Sequence, residues 1–231
     1  MSEVQPSEAE ISAKPISTFV DMDRFQVSNV DPKPAPELLE TFEHLSDDRY
    51  LKGNWIFRKR AYARGLLSPA GIEWNSGTDF FQPRAINDFA GDIRRIFEPA
   101  GEAIREYVWH TFQSPFYRMG LGRDTYELGL HQIRIVCDED HEGHPVPEGF
   151  HQDGFDVVVI QSYQRQNITG GKSFLREDSK DGPCILERDL QPGEILAFND
   201  RRLFHYADPI QSESSGPGYR DLCVMTFLRV R

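Results

Sequence analysis

Gly149-Phe150-His151-Gln152-Asp153-Gly154, running on through Phe155 into Asp156-Val157-Val158-Val159-Ile160-Gln161-Ser162-Tyr163, is the stretch from which the fold is read. Its second half is an unbroken β-branched and apolar run of strand length, which predicts a buried strand. Its first half has turn chemistry, a short acidic side chain between glycines, and sits at the mouth of that strand. The same character holds from about Gly129 onward. Leu130 to Val136, Gly193-Glu194-Ile195-Leu196-Ala197-Phe198 and Arg220-Asp221-Leu222-Cys223-Val224-Met225-Thr226-Phe227-Leu228 are strand-like. Between them, Asn167-Ile168-Thr169-Gly170-Gly171 reads as a hairpin and Gln191-Pro192-Gly193 as a turn. Many short strands with turn punctuation and no long helical period predict a double-sheet barrel or sandwich.

Upstream the period changes. Met1 to Lys14 is polar and acidic and reads as a flexible arm. Ile16, Phe19, Val20 and Phe25, within Pro15 to Val27, predict an early strand or docking segment. Pro36 suits the first turn of a helix carrying Leu38, Leu39, Phe42 and Leu45, which ends before Ser46-Asp47-Asp48. Ile86, Phe89, Ile93, Ile96 and Phe97 recur at helical spacing, and after Pro99 the period resumes with Ile104, Val108 and Phe112. These helices are expected to pack on the outside of the sheet. The domain reading is an arm over 1–14 and a single domain over 15–231, with helical support at about 36–115 and the β core at about 50–64 and 126–231.

A chain of 231 residues suffices for one sizeable core. The net charge of -11 argues against nucleic-acid and anionic-membrane partners, which need a basic footprint. Cys137, Cys184 and Cys223 are far apart and read as free thiols in a reducing cytoplasm. No apolar run approaches the ~20 residues of a membrane span, and the N-terminus has no secretory apolar stretch. A homo-oligomer stays open.

Against that frame, His151 and Asp153, two residues apart, and the distant His205 of Phe204-His205-Tyr206 have the order and spacing of a 2-His-1-carboxylate metal site. Such a triad leaves one side of an octahedral metal open to small molecules. Arg220 begins the last strand and, by period-two alternation, shares a face with Leu222, Val224, Thr226 and Leu228. If that face points inward, the guanidinium needs a buried anion and its fork suits a carboxylate. The competing reading has Arg220 at a strand end, paired with Asp208 or Asp221.

With these residues in view, the chain resembles the Fe(II)- and 2-oxoglutarate-dependent dioxygenases, in particular the family that includes bacterial free-amino-acid hydroxylases such as isoleucine hydroxylases. The likeness runs through Arg58-Lys59-Arg60-Ala61-Tyr62-Ala63-Arg64, Gly129-Leu130-His131-Gln132-Ile133-Arg134, His151-Gln152-Asp153, Gly170-Gly171, Phe204-His205 and Tyr219 to Phe227. It implies an α+β, mainly β fold: a double-stranded β-helix (jelly-roll, cupin-like) core with flanking helices from the N-terminal half. It also implies Fe(II) on His151, Asp153 and His205, with Arg220 binding the far carboxylate of the 2-oxoglutarate cosubstrate. The implied reaction hydroxylates a small free amino acid or related carboxylate, with succinate and CO2 as co-products. Related halogenases have a small residue in place of the carboxylate ligand, so Asp153 favours hydroxylation.

Further candidates carry two readings each. Arg58, Arg60, Tyr62 and Arg64 share one strand face and could grip a substrate carboxylate, or could form a charged edge that resists aggregation. Gln132 and Arg134 share a face; pointing inward they would serve cosubstrate and substrate respectively. If His131, Ile133 and Ile135 point inward instead, they face away from any ligand. His131 is expected to be a satisfied core or rim histidine, and His141 and His144 to lie in a polar loop covering the site. Asn199, Asp200, Arg201 and Arg202 are candidates for orienting His205. Two other functions compete: a non-catalytic cupin-like small-molecule sensor or stress-response protein, and a metal hydrolase or isomerase, against which a carboxylate anchor at Arg220 speaks.

Overall fold

A computed structural model of the chain describes residues 18–20, 24–30, 34–51, 55–84, 91–118, 121 and 124–230. The expected N-terminal arm, with Ile16, Ile86 and Phe89, lies outside them. The fold is mainly β and has two layers. The larger sheet runs, in order of pairing, Thr18–Val20, Phe25–Asn29, Glu194–Asn199, Val157–Gln166, Gly218–Arg229, Tyr126–Cys137, Arg58–Ser68 and Gly71–Asn75. Every neighbouring pair along this path is antiparallel. A smaller sheet holds Cys184–Arg188, Ser173–Glu177 and Leu203–Ala207, and beside it Ile168–Gly170 pairs with Ile210–Ser212. This is the jelly-roll arrangement.

The three central strands of the large sheet are covered on both sides, which is why their sequences are nearly continuous apolar runs. Outward, Cys223, Met225 and Phe227 pack with Leu128, Leu130 and Val159 against Ile104, Val108 and Phe112 of the helix Glu102–Arg118. Inward, Val158, Leu196 and Phe198 close one end of the interior against Leu175 and Leu203 of the small sheet. Ile133, Ile135 and Leu222 close the other end against Ile210. Between these two apolar plugs lies a cavity.

Three local expectations give way to tertiary contacts. The first helix covers only Pro36–Glu40, with Leu38, Phe42 and Leu45 buried as read from the sequence. It stops where the Thr41 hydroxyl donates to the Leu38 carbonyl at 2.6 Å, a side-chain bond that competes with helix continuation. The helical period through Ile93 and Ile96 is not used: Arg95–Ile96 pairs as a short strand with Asp79–Phe80, and both isoleucines are exposed. Asn167 to Gly171 is a corner between sheets, not a hairpin, since Ile168–Gly170 pairs with Ile210–Ser212. Gly170 is required there: its φ is +74°, and a Cβ would lie 2.1 Å from the Pro209 carbonyl oxygen. The turn at Gln191 forms as expected, with the Glu194 amide donating to the Gln191 carbonyl at 2.9 Å.

Cys137, Cys184 and Cys223 are all free thiols. Among the described residues, no helix is long and apolar enough to cross a membrane.

Candidate active site

His205 lies on the strand Leu203–Ala207, and His151 docks beside it as an isolated antiparallel bridge. Each backbone amide of this pair donates to the other's carbonyl, at 3.1 and 2.9 Å. Two residues later the chain must turn back into the strand Val157–Gln166, and Gly154, at φ +87°, permits the reversal. Asp153 is thereby carried between the rings, with its carboxylate oxygens 3.5 Å from His151 Nε2 and 3.5 Å from His205 Nε2. One donor atom from each of the three side chains falls within 4.8 Å of the others.

The donor chemistry fits a divalent metal of the iron type: two imidazoles and one carboxylate, with room on one side. His151 Nδ1 lies 3.0 Å from the Gly149 carbonyl, which assigns its proton to that bond and turns the Nε2 lone pair toward the cluster. Burial alone would lower the His151 pKa, but the Asp153 hydrogen bond and charge, with Glu148, raise it to about 9. Burial likewise opposes ionisation of Asp153, yet the two histidines hold its pKa well below the usual carboxylate range. A cation substituting for the His151 proton therefore meets a preformed negative site.

Of the four candidates preceding His205, Asp200 holds the turn that carries Asp153, while His205 Nδ1 has no hydrogen-bond partner among the described residues. The Asp200 carboxylate accepts from the amides of Asp153, Gly154 and Phe155 at 3.1, 2.7 and 3.0 Å, and lies 3.6 Å from His205 Nδ1. Gln82, not foreseen, donates through Nε2 to both Asp153 Oδ1 and the Asp153 carbonyl at 3.2 Å. Gln82→Met keeps the volume and removes the amide. It should weaken Fe(II) binding about 10- to 100-fold, measured by anaerobic calorimetry, with the thermal midpoint nearly unchanged. Unaltered affinity would exclude Gln82 from holding the carboxylate.

The triad opens into a cavity of about 120 Å³ whose lining includes Arg58, Arg60, Arg95, Ser173, Arg220 and Thr226. Arg220 is 1% exposed, so the inward reading of its strand face is the one realised. Its Nη2 is 3.4 Å from Ser173 Oγ and its Nε has no partner. Burial, reinforced by nearby Arg165, lowers its pKa to about 10. A buried guanidinium with an unused N–H, facing the same space as the triad, fits a cosubstrate carboxylate.

The other candidates separate by register. Arg58, Arg60, Tyr62 and Arg64 do share a face, but only Arg58 and Arg60 line the cavity. Arg60 donates to His131 Nδ1 through Nε at 3.2 Å and stands 3.9 Å from Asp48, while Arg58 bonds Asp48 at 2.8 Å. Tyr62 lies a layer behind, stacked on the His131 ring at 4.5 Å, and Arg64 pairs with Asp79 beyond the cavity's end. Both leave the set of substrate contacts. Gln132 likewise leaves the cosubstrate contacts and Arg134 the substrate contacts, because His131, Ile133 and Ile135 point inward. Gln132 donates to Thr41 Oγ1 at 2.8 Å on the opposite, helix-covered face. Arg134 makes a two-point contact with Asp221 at 2.7 and 2.8 Å and a third with Glu43 at 2.7 Å. Arg134→Leu should cost about 3–5 kcal/mol of stability in urea denaturation by stranding the buried Asp221 carboxylate. Substrate KM should stay unchanged, whereas a raised KM with intact stability would return Arg134 to the site.

His131 is a buried acceptor for Arg60. Burial and the Arg60 charge keep it well below the ordinary histidine range, hence neutral. His141 and His144 lie exposed in the loop, the former 2.9 Å from Asp138 and stacked on Trp55. Pro145, Val146 and Glu148 of the same segment line the cavity.

A sequence model of the 2OG-Fe dioxygenase family matches residues 39–226. The chain is 28% identical over 201 residues to 3(1)-hydroxy-L-isoleucine 4-dioxygenase of Pantoea ananatis (strain AJ13355), covering 83% of this chain and 79% of the relative. It is 26% identical over 199 residues to L-isoleucine-4-hydroxylase of Bacillus thuringiensis, covering 80% and 79%. Among solved structures, a bsmA homologue from Methylobium petroleophilum PM1 superposes with TM-score 0.72 at 25% identity, covering 83% of this chain and 79% of that one. IDO from Bacillus thuringiensis shares the fold, with TM-score 0.66 at 18% identity and coverage of 84% and 81%.

Proposed function

The chain belongs to the 2OG-Fe dioxygenase family, and from that premise we propose that it hydroxylates a small free amino acid, or a closely related carboxylate, at an unactivated carbon. The observation that carries this reading is one cavity shared by the metal-type triad and two separate sets of guanidinium groups. With Fe(II) and 2-oxoglutarate bound, the centre supplies oxidative decarboxylation: cosubstrate, O2 and a C–H bond become succinate, CO2 and an alcohol.

The chain's own residues do the positioning. His151, Asp153 and His205 hold the metal; Asp200 and Gln82 hold the turn and carboxylate that present it. Arg220, helped by Ser173, takes the far carboxylate of 2-oxoglutarate, which sets the cosubstrate's direction in the cavity. Ile133, Ile160, Leu222 and Val224 give that space apolar walls, which exclude water. Arg58 and Arg60 add positive charge to the same lining and favour a substrate bearing a carboxylate. The two curated relatives act, by their names, on isoleucine or its hydroxylated form, which motivates beginning with branched aliphatic amino acids. The free thiols fit a cytoplasmic enzyme.

The test is succinate formation from Fe(II), 2-oxoglutarate and O2, screened over the free L-amino acids with product mass recorded. A gain of one oxygen in one amino acid, with matching succinate, is the expected result. Binding without turnover across the panel would instead favour a small-molecule sensor on the same fold.

A further inference from the structure

The triad and Arg220 leave one buried cation of the cavity without an assigned task. Arg95, from the two-residue strand Arg95–Ile96, is 3% exposed and lines the cavity. Its Nη2 donates to Gln82 Oε1 at 2.9 Å, while its Nε has no acceptor. Among the described residues no carboxylate stands at ion-pairing distance from it, unlike Arg58, whose Nε is bonded to Asp48. Arg60 already spends two N–H groups on His131. The Phe80 ring lies 4.7 Å from the Arg95 guanidinium carbon and covers one flat side, so a ligand must approach its N–H edge.

Arg95 and Arg220 belong to different fields. The charges that act on Arg220 are Arg165, Asp189 and Asp208, whereas those on Arg95 are Arg58, Asp48, Glu148 and Asp153. Burial first, and then the Arg58 charge, pushes the Arg95 pKa down. An unpaired guanidinium in such a place is costly unless an anion joins it. The cosubstrate has a single carboxylate beyond its keto acid, and Arg220 receives it. The second guanidinium therefore calls for a second anionic molecule.

We propose that Arg95 is the anchor for the carboxylate of the amino-acid substrate, binding it through the free Nε edge while Nη2 stays on Gln82. This rests on the hydroxylase reading above. Because Gln82 also bonds Asp153, the substrate carboxylate is held by the same chain of hydrogen bonds that fixes a metal ligand.

The experiment uses the anaerobic enzyme loaded with Fe(II) and 2-oxoglutarate, titrated calorimetrically with L-isoleucine and L-isoleucinamide. If another amino acid gives more succinate, that acid and its amide replace them. In the wild type the amide should bind about 30-fold more weakly, the scale of a charge-assisted hydrogen-bond pair. Arg95→Gln should weaken the amino acid by a similar factor and abolish the distinction from the amide, with 2-oxoglutarate affinity within about two-fold. Arg95→Lys keeps the charge without the fork, so it should retain part of the discrimination, and it carries the test alone if the glutamine variant does not fold. Undiminished amino-acid affinity or discrimination in the variants overturns the anchor, as does a parallel loss of amide and 2-oxoglutarate binding. A wild type that hydroxylates no amino acid defeats the underlying reading instead, so the two failures are distinct.

Discussion

Asp153→Ala is expected to lower substrate-dependent succinate formation by on the order of 1,000-fold or more, because it removes one of only three protein ligands from the metal. Asp153 is also the charge that compensates two buried imidazoles, standing 3.5 Å from each. Without it, the site keeps two neutral donors and loses the negative charge that favours a cation over a proton. Fe(II) affinity should therefore fall together with turnover. Anaerobic calorimetry and chromatographic detection of succinate measure the two. Asp200 still organises the turn through three backbone amides, so the variant should remain folded. Retention of a tenth of the wild-type rate would show that the metal is held elsewhere.

Arg220→Leu should raise the 2-oxoglutarate KM by about 100-fold or more, the size expected when one partner of a buried, hydrogen-bonded charge pair is truncated. The ligand-free protein should respond in the opposite sense. Arg220 is fully enclosed, has an unused Nε and feels the repulsion of Arg165, so a leucine removes an uncompensated cation from the interior. Its thermal midpoint should be unchanged or higher, because a buried charge without a partner is replaced by packing. Conversely, 2-oxoglutarate should raise the midpoint of the wild type and not of the variant. Loss of stability in the ligand-free variant would mean that Arg220 is a structural cation and would remove it from the cosubstrate site.

The metal triad was legible because its spacing is imposed by chemistry: a single residue separates His151 from Asp153, and a turn followed by a buried run leaves them at a strand mouth. Arg220 was legible for a related reason, since a cation at the head of an apolar alternation must meet an anion if that face is interior. Gln132 and Arg134 could not be read in this way. Their strand is buried on both sides, so neither alternate set is marked as solvent-facing, and a polar residue on either face finds a partner. Here the partners are Thr41 and Asp221, both distant in sequence. Gln82 and Arg95 left no periodic trace: Gln82 lies in irregular chain just past the strand Asp79–Phe80, and a two-residue strand such as Arg95–Ile96 has no period.

What the sequence alone determined was the succession of buried strands and turns, and the residue types able to bind a metal and a carboxylate. Hydrophobic period and donor chemistry are local properties and can be read along one chain. The tertiary structure decided which face of each strand looks into the cavity, where helical periodicity yields to strand pairing, and which guanidinium groups lack a carboxylate partner. Those outcomes depend on register and burial between segments far apart in the chain, where one residue of slip exchanges the lining of a cavity for its outer wall.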